Sequence, residues 1–142
     1  MSQNTENIAN TDSVSAETNS IVWKYNDFEA EFDITDLDTS EKYEKTFEIM
    51  GEKEKKLPKV GKQSEMLKAQ FEWFSETFDR LFGEGSSNKI LGGKKSVNLC
   101  LEAYMSFLDF VKRQKENVLN KRETLTSSYA NRAQRRASAK KK

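Results

Sequence analysis

The side chains that most often carry out catalysis are scarce in this sequence of 142 residues. It contains no histidine, so the most common general base and metal ligand is missing. Its single cysteine, Cys100, lies in the apolar run of residues 97–101, where we expect a small buried side chain rather than a nucleophile. A lone cysteine forms neither an internal disulfide nor a cysteine-rich zinc site. We therefore predict no catalytic residues.

Two further patterns suggest ligand binding but lack the residues that such sites need. Glu29, Glu31 and Asp33 alternate along a predicted strand and share one face, about 7 Å apart. The spacing of a calcium loop is absent, so we interpret them as a solvated outer face and predict no metal site. The glycine-rich residues 83–95 precede a helix predicted from Ser96, as a phosphate-binding loop would. The Gly-x-x-x-x-Gly-Lys-Ser/Thr pattern is missing, so we predict no nucleotide cofactor.

Charge is distributed unevenly along the chain, although the net charge is only +1. Residues 1–51 carry 12 acidic and 3 basic groups, a net charge of −9. Residues 112–142 carry 2 acidic and 11 basic groups, a net charge of +9. Charged ends of this kind are typical of interaction segments rather than of a particular fold. No run approaches the ~18 apolar residues of a membrane span, and residues 1–20 lack the apolar stretch of a signal peptide, so we expect a cytoplasmic protein.

Alternating apolar residues predict a β-hairpin after a polar N-terminal segment. Residues 1–20 hold too few large apolar side chains to offset the entropy of ordering, so we predict that they are disordered. The alternating runs are Ile21, Trp23 and Tyr25, then Phe28, Ala30, Phe32 and Ile34. Asn26 and Asp27 lie between the runs and tolerate the positive φ of a tight turn. A lone hairpin is only marginally stable in water, so its aromatic face is expected to pack on helices.

Helical spacing of apolar residues predicts three helices. They are expected from Asp38 to before Pro58, from Ser64 to Gly83, and from Ser96 to about Glu123. Asp38 and Glu41 fit a capping box for the first helix, with Thr39 or Ser40 as alternative caps, and Ser64 is the predicted cap of the second helix. The predicted core faces are Leu67, Phe71, Phe74, Phe78 and Leu81 in the second helix, and Val97, Leu101, Tyr104, Leu108 and Val111 in the third. The fold class is therefore mainly α: an N-terminal β-hairpin packed on a three-helix body (21–123), with disordered charged ends (1–20 and the basic tail 124–142).

Six residues are predicted to contact a partner. Trp73 lies beside the apolar stripe of its helix rather than at its centre, which favours an exposed contact. Ile90 and Leu91, in the glycine-rich loop, either cover the core or dock a partner. Arg132, Arg135 and Arg136 belong to the basic end, which suits an acidic protein or the phosphates of a nucleic acid. Only one aromatic residue accompanies them, so we favour the protein partner.

The central part of the chain, about residues 21–111, resembles small helical proteins of the tail modules of siphophages and prophages of Gram-positive bacteria. The likeness is carried by FDITDLDTSEKYE (32–44), FDRLFGEG (78–85), KILGGK (89–94) and NLCLEAY (98–104), and the basic ending NRAQRRA (131–137) is also similar. In size and composition, such proteins look like tail assembly chaperones.

This resemblance implies a protein that coats the tape measure protein during tail assembly and recruits tail tube subunits. It also implies action in the host bacterial cytoplasm and absence from the mature virion. The oppositely charged ends allow head-to-tail self-association along a long client. Two alternatives stay open: a structural tail or connector component of the virion, and a small nucleic-acid-binding regulator that uses the basic C-terminus.

Overall fold

The computed structural model describes residues 20–140, with side chains as far as residue 136. Its elements are the strands β1 (Val22–Tyr25) and β2 (Phe28–Glu31) and the helices α1 (Leu37–Lys55), α2 (Gln63–Phe82), α3 (Ser86–Ile90) and α4 (Val97–Lys140). The predicted mainly α fold with an N-terminal hairpin is confirmed. The disorder predicted for residues 1–20 lies outside the described residues, apart from Ser20.

The hairpin turns at the predicted place. Asn26 has φ of 53°, the left-handed conformation that asparagine tolerates, and β1 pairs antiparallel with β2. Trp23 is paired with Ala30 and Tyr25 with Phe28, so these four side chains share one face. That face lies against the helices, because the hairpin alone buries too little apolar surface to be stable.

Aromatic rings join the hairpin to the helices in one core. The buried Trp23 ring stacks on Phe78 and Phe82 of α2, with centroids 6.4 and 5.4 Å away, and meets Phe107 of α4 edge-on at 5.4 Å. The indole Nε1 of Trp23 donates a hydrogen bond of 3.2 Å to the Ser106 hydroxyl, which satisfies its buried donor. The other buried apolar residues are Phe32, Ile34, Met50, Phe74, Leu81, Ile90, Leu91, Cys100, Ala103 and Val111.

The first two helices begin earlier than predicted. Asp36 has the extended backbone of an N-cap, and its carboxylate accepts a 3.0 Å hydrogen bond from the backbone N–H of Thr39. The predicted cap at Asp38 is therefore wrong, since Asp38 already lies within α1. The α2 helix starts at Gln63 without a side-chain cap, so Ser64 is not its N-cap either. Both helices end where predicted, α1 before Pro58 and α2 at Gly83, whose φ is 110°.

The α4 helix is longer than predicted, and the face it buries is displaced by about one residue. It continues past Glu123 to Lys140, so the segment 124–140 that we expected to be a disordered tail is helical. No glycine or proline follows Gly93, and this segment is rich in good helix formers. The centre of the buried face is Cys100, Ala103, Phe107 and Val111, whereas Leu101 is exposed. No helix within residues 20–140 carries a stretch long and apolar enough to cross a membrane.

Candidate protein-binding surfaces

Ile90 and Leu91 belong to the core. Their side chains are only 2% and 5% exposed, so of the two predicted roles the structure assigns them to the core and not to a partner contact. The cause is α3, a short helix within the predicted loop, which begins after Gly85 in a left-handed conformation. Its second residue, Ser87, donates a 2.9 Å backbone hydrogen bond to the Asp79 carboxylate of α2. This contact holds α3 against α2 and directs the two apolar side chains inward.

Trp73 is half-buried rather than fully exposed. Its Nε1 donates a 2.8 Å hydrogen bond to the Met50 carbonyl oxygen at the end of α1. Its ring meets Phe74 and Tyr104 edge-on, with centroids 5.1 and 5.9 Å away. The polar end of the indole is thus engaged inside the protein, and part of the ring remains accessible as a wall of a groove.

This groove, here called the Trp73 groove, lies between the end of α1, α2 and the start of α4. It has a volume of about 280 Å³, and it is lined by Glu54, Leu57, Gln70, Trp73, Phe74, Val97 and Leu101. Leu101 is 45% exposed at its edge, and Met105, one helical turn further along α4, is 66% exposed. Leu67 of α2, one turn before Gln70, is also exposed. Apolar side chains of two helices therefore surround an open apolar groove.

The titratable groups beneath this surface are neutral at physiological pH. Burial, with smaller contributions from the neighbouring Tyr43 and Glu54, raises the pKa of the Tyr104 phenol to about 12. Burial also raises the pKa of the Cys100 thiol to about 11. Cys100 is fully enclosed, so its thiol is protonated and inaccessible to a substrate. Both groups contribute packing rather than acid–base or nucleophilic chemistry.

A second surface is the C-terminal part of α4, residues 119–136, here called the arm. Every side chain in the arm is exposed, and Arg132, Arg135 and Arg136 lie within it. The arm holds five basic side chains and one acidic side chain, a net charge of +4. It also exposes three large apolar side chains, Leu119, Leu125 and Tyr129. The predicted basic contact residues are therefore accessible, on a helix that projects from the body.

The arm continues the core face of α4 in the same register. The positions that face the body repeat every 11 residues: Cys100, Ala103 and Phe107, then Val111, Gln114 and Val118, then Arg122, Leu125 and Tyr129. An 11-residue repeat gives 3.67 residues per turn, so these positions form a nearly straight stripe. The first two repeats lie against the hairpin and the other helices, whereas the side chains of the third are exposed. The apolar part of the arm is thus an uncovered extension of a packing face.

An acidic stripe lies on the exposed side of α1. It consists of Asp38, Glu41, Glu44, Glu48 and Glu52, which recur every three or four residues and are all exposed. Met50 lies on the opposite side of α1 and is fully buried. The strand acids Glu29 and Glu31 are exposed as well. No group of three or more His, Cys, Asp or Glu side chains in the described part of the chain is arranged to hold a metal ion.

Gln114 is a structurally important residue that the sequence analysis missed. Its Oε1 accepts a 2.9 Å hydrogen bond from the backbone N–H of Ile34, and its Nε2 donates to the carbonyl oxygens of Phe32 at 2.7 Å and Ser20 at 3.2 Å. Its position in the apolar stripe of α4 could have predicted this role, because a polar residue among apolar ones indicates a buried polar contact. The contact ties the open end of the hairpin to the helix from which the arm projects.

Comparison with known protein families gives one match. Residues 26–139 match the model of DUF6673, which is described as a family of unknown function. The matched range includes all three helices of the Trp73 groove, the acidic stripe and the arm. No curated protein and no solved structure matches the chain.

Proposed function

We propose that this chain, which belongs to DUF6673, a family of unknown function, is a non-catalytic binding protein that acts as a chaperone in phage tail assembly. In this proposal it binds the tape measure protein in the host cytoplasm, helps to recruit tail tube subunits and is absent from the mature virion. The Trp73 groove is the observation that carries the binding role. The phage-tail setting rests on the sequence resemblance described above.

The groove suits the apolar side of an amphipathic helix. Its walls are mainly apolar, and exposed Leu67, Leu101 and Met105 extend the apolar surface along α2 and α4. Grooves of this kind receive helices through apolar side chains spaced three or four residues apart. A tape measure protein with such helices would offer the groove many equivalent binding segments.

Leu101→Glu is the most informative variant for the client contact. Leu101 is 45% exposed at the edge of the groove, so a charge there opposes an apolar partner with little effect on the core. Trp73 is less suitable, because its hydrogen bond to the Met50 carbonyl also stabilises the fold. The matched control is Leu119→Glu, since Leu119 is 54% exposed on the same helix but lies in the arm.

The test is co-expression of the tagged full-length chain with the tape measure protein of the same phage genome, followed by affinity purification. We expect the wild type and Leu119→Glu to recover the tape measure protein, and Leu101→Glu to bind at least about tenfold more weakly, a loss of about 1.4 kcal/mol. Circular dichroism should show equal thermal stability for all three proteins. Failure of the wild type to recover the client contradicts the chaperone role, and equal losses in both variants contradict the groove as the site.

Two further measurements separate the alternative functions. Mass spectrometry of purified particles should lack this protein if it is a chaperone and contain it if it is a structural tail or connector component. Retention on heparin that disappears when residues 124–142 are removed would favour a nucleic-acid-binding regulator. The arm has five basic side chains but only Tyr129 as an aromatic, so a stacking platform for bases is not evident in the described residues.

A further inference from the structure

We propose that copies of this protein associate head to tail, with the arm of one copy docked on the acidic stripe of α1 in the next. This goes beyond the proposed function and does not depend on it, because it concerns the protein alone. The starting observation is that the arm continues the packing face of α4, while no other part of residues 20–140 covers that face. Leu125 and Tyr129 are 56% and 60% exposed in positions equivalent to the buried Gln114 and the half-buried Val118.

The charge of the arm determines which partner it accepts. Five basic side chains and one acidic side chain give it a net charge of +4, so the arms of two copies repel each other. The acidic stripe has the opposite sign, with five exposed carboxylates on one side of α1. Oppositely charged surfaces steer association and fix its register. The stripe is therefore the complementary surface that this chain itself offers.

The two surfaces also match in length. The arm presents its stripe from Arg122 to Arg136, and the acidic stripe runs from Asp38 to Glu52. Each covers 15 residues of helix, and the 14 steps between its ends give a length of about 21 Å at 1.5 Å per residue. Two helices of this length can lie side by side with charged side chains paired at both ends of the contact, near Arg122 and Arg136, while Leu125 and Tyr129 supply the apolar part between them.

The contact is intermolecular because α4 is continuous. The helix runs without interruption to Lys140, so the arm projects from the body and does not return to α1 of its own chain. Consistent with this, the side chains of both surfaces are exposed. The two surfaces belong to different parts of the molecule, so one docking event leaves a free arm at one end and a free stripe at the other. Such heterologous contacts produce open chains rather than closed dimers.

Charge reversal tests the contact. The arm variant is R122E/R132E/R136E, and the stripe variant is E41K/E44K/E48K. Neither variant alone can form the contact, since its arm and stripe carry the same sign. In a mixture of the two variants the contact can form, because the basic arm of the stripe variant fits the acidic stripe of the arm variant. The acidic arm of the arm variant likewise fits the basic stripe of the stripe variant. The control variant, K59E/K62E/K68E, changes the net charge as much as the arm variant does, at exposed positions outside both surfaces.

The measurement is the mass from light scattering of the full-length proteins, at about 0.01 M and about 1 M salt, where the screening length falls from about 30 to 3 Å. We expect a mass above that of the monomer for the wild type, for the control and for the equimolar mixture at low salt, and the monomer mass for each reversed variant alone. High salt should return every sample to the monomer. A monomeric wild type at low salt overturns the proposal, as does association of either reversed variant by itself or a mixture that stays monomeric. Client recovery through the Trp73 groove is measured separately, so the two proposals fail independently.

Discussion

The side chain of Gln114 joins α4 to three points of the N-terminal segment. Its amide oxygen accepts from the Ile34 backbone, and its amide nitrogen donates to the carbonyl oxygens of Phe32 and Ser20. A primary amide is required, because one partner is a donor and the other two are acceptors. These three backbone groups lie beyond the last paired residues of the hairpin, Val22 and Glu31, where one further backbone hydrogen bond joins the Phe32 N–H to the Ile21 carbonyl oxygen. The Gln114 side chain thus pairs three backbone groups that have left the paired part of the sheet.

Gln114→Leu is expected to lower the free energy of unfolding by about 1–3 kcal/mol for each buried backbone group that it leaves unpaired. Leucine has a similar volume, so the loss reports the hydrogen bonds rather than a cavity. Gln134→Leu, on the exposed surface of the same helix, is the control and should change the stability little. Urea denaturation monitored by tryptophan fluorescence measures both. Equal stabilities of the two variants would contradict the role of Gln114.

At the scale of elements, the start of α1 depends on one cap. Asp36 accepts hydrogen bonds from both the backbone N–H and the hydroxyl of Thr39, at 3.0 and 2.9 Å. These bonds hold the pKa of Asp36 below its ordinary value of 3.8, the backbone bond being the larger cause. Asp38, in the first turn, interacts only with the positive end of the helix dipole. The two aspartates therefore make different contributions to the same helix.

Asp36→Ala is expected to lower Tm by a few degrees, and Asp38→Ala by less, since only the first variant removes the cap. A lowered folded-state pKa stabilises the protein above the unfolded-state value, so this contribution is lost as the pH falls below 3.8. The Tm difference between the wild type and Asp36→Ala should therefore shrink on acidification. Thermal melts followed by circular dichroism at pH 7 and pH 3 measure it. A larger effect of Asp38→Ala would support the cap predicted from the sequence instead.

At the scale of the whole molecule, the arm is expected to contribute little to the free energy of unfolding of the body. The last buried side chain of α4 is Gln114, and every described side chain from Leu119 onward is exposed. Removal of residues 124–142 should therefore leave the Tm and the near-ultraviolet circular dichroism unchanged while the total helical signal falls. The remaining part of α4 still carries every core residue of that helix. A loss of the cooperative transition would show that the arm stabilises the body.

Local patterns in the sequence were sufficient for the hairpin and for the ends of α1 and α2. The turn at Asn26, the end of α1 before Pro58 and the end of α2 at Gly83 depend on the φ angles and hydrogen bonds of single residues. The starts of α1 and α2 were less predictable, because several neighbouring residues are able to cap a helix. For Ile90 the sequence left an inward and an outward direction open, because the choice depends on the hydrogen bond between Ser87 and Asp79.

The sequence by itself determined the mainly α fold, the hairpin and the opposed charges of its two ends, because periodicity, turn residues and charge are local properties of the chain. Only the tertiary structure decided which apolar residues are accessible. In the fold, Ile90 and Leu91 are buried, and the Trp73 indole donates a hydrogen bond to the Met50 carbonyl oxygen. Leu101 and Met105 remain exposed. The reason is that exposure depends on what packs against each helix face, and residues distant in sequence supply those contacts. The fold thereby leaves the Trp73 groove and the arm open at the surface.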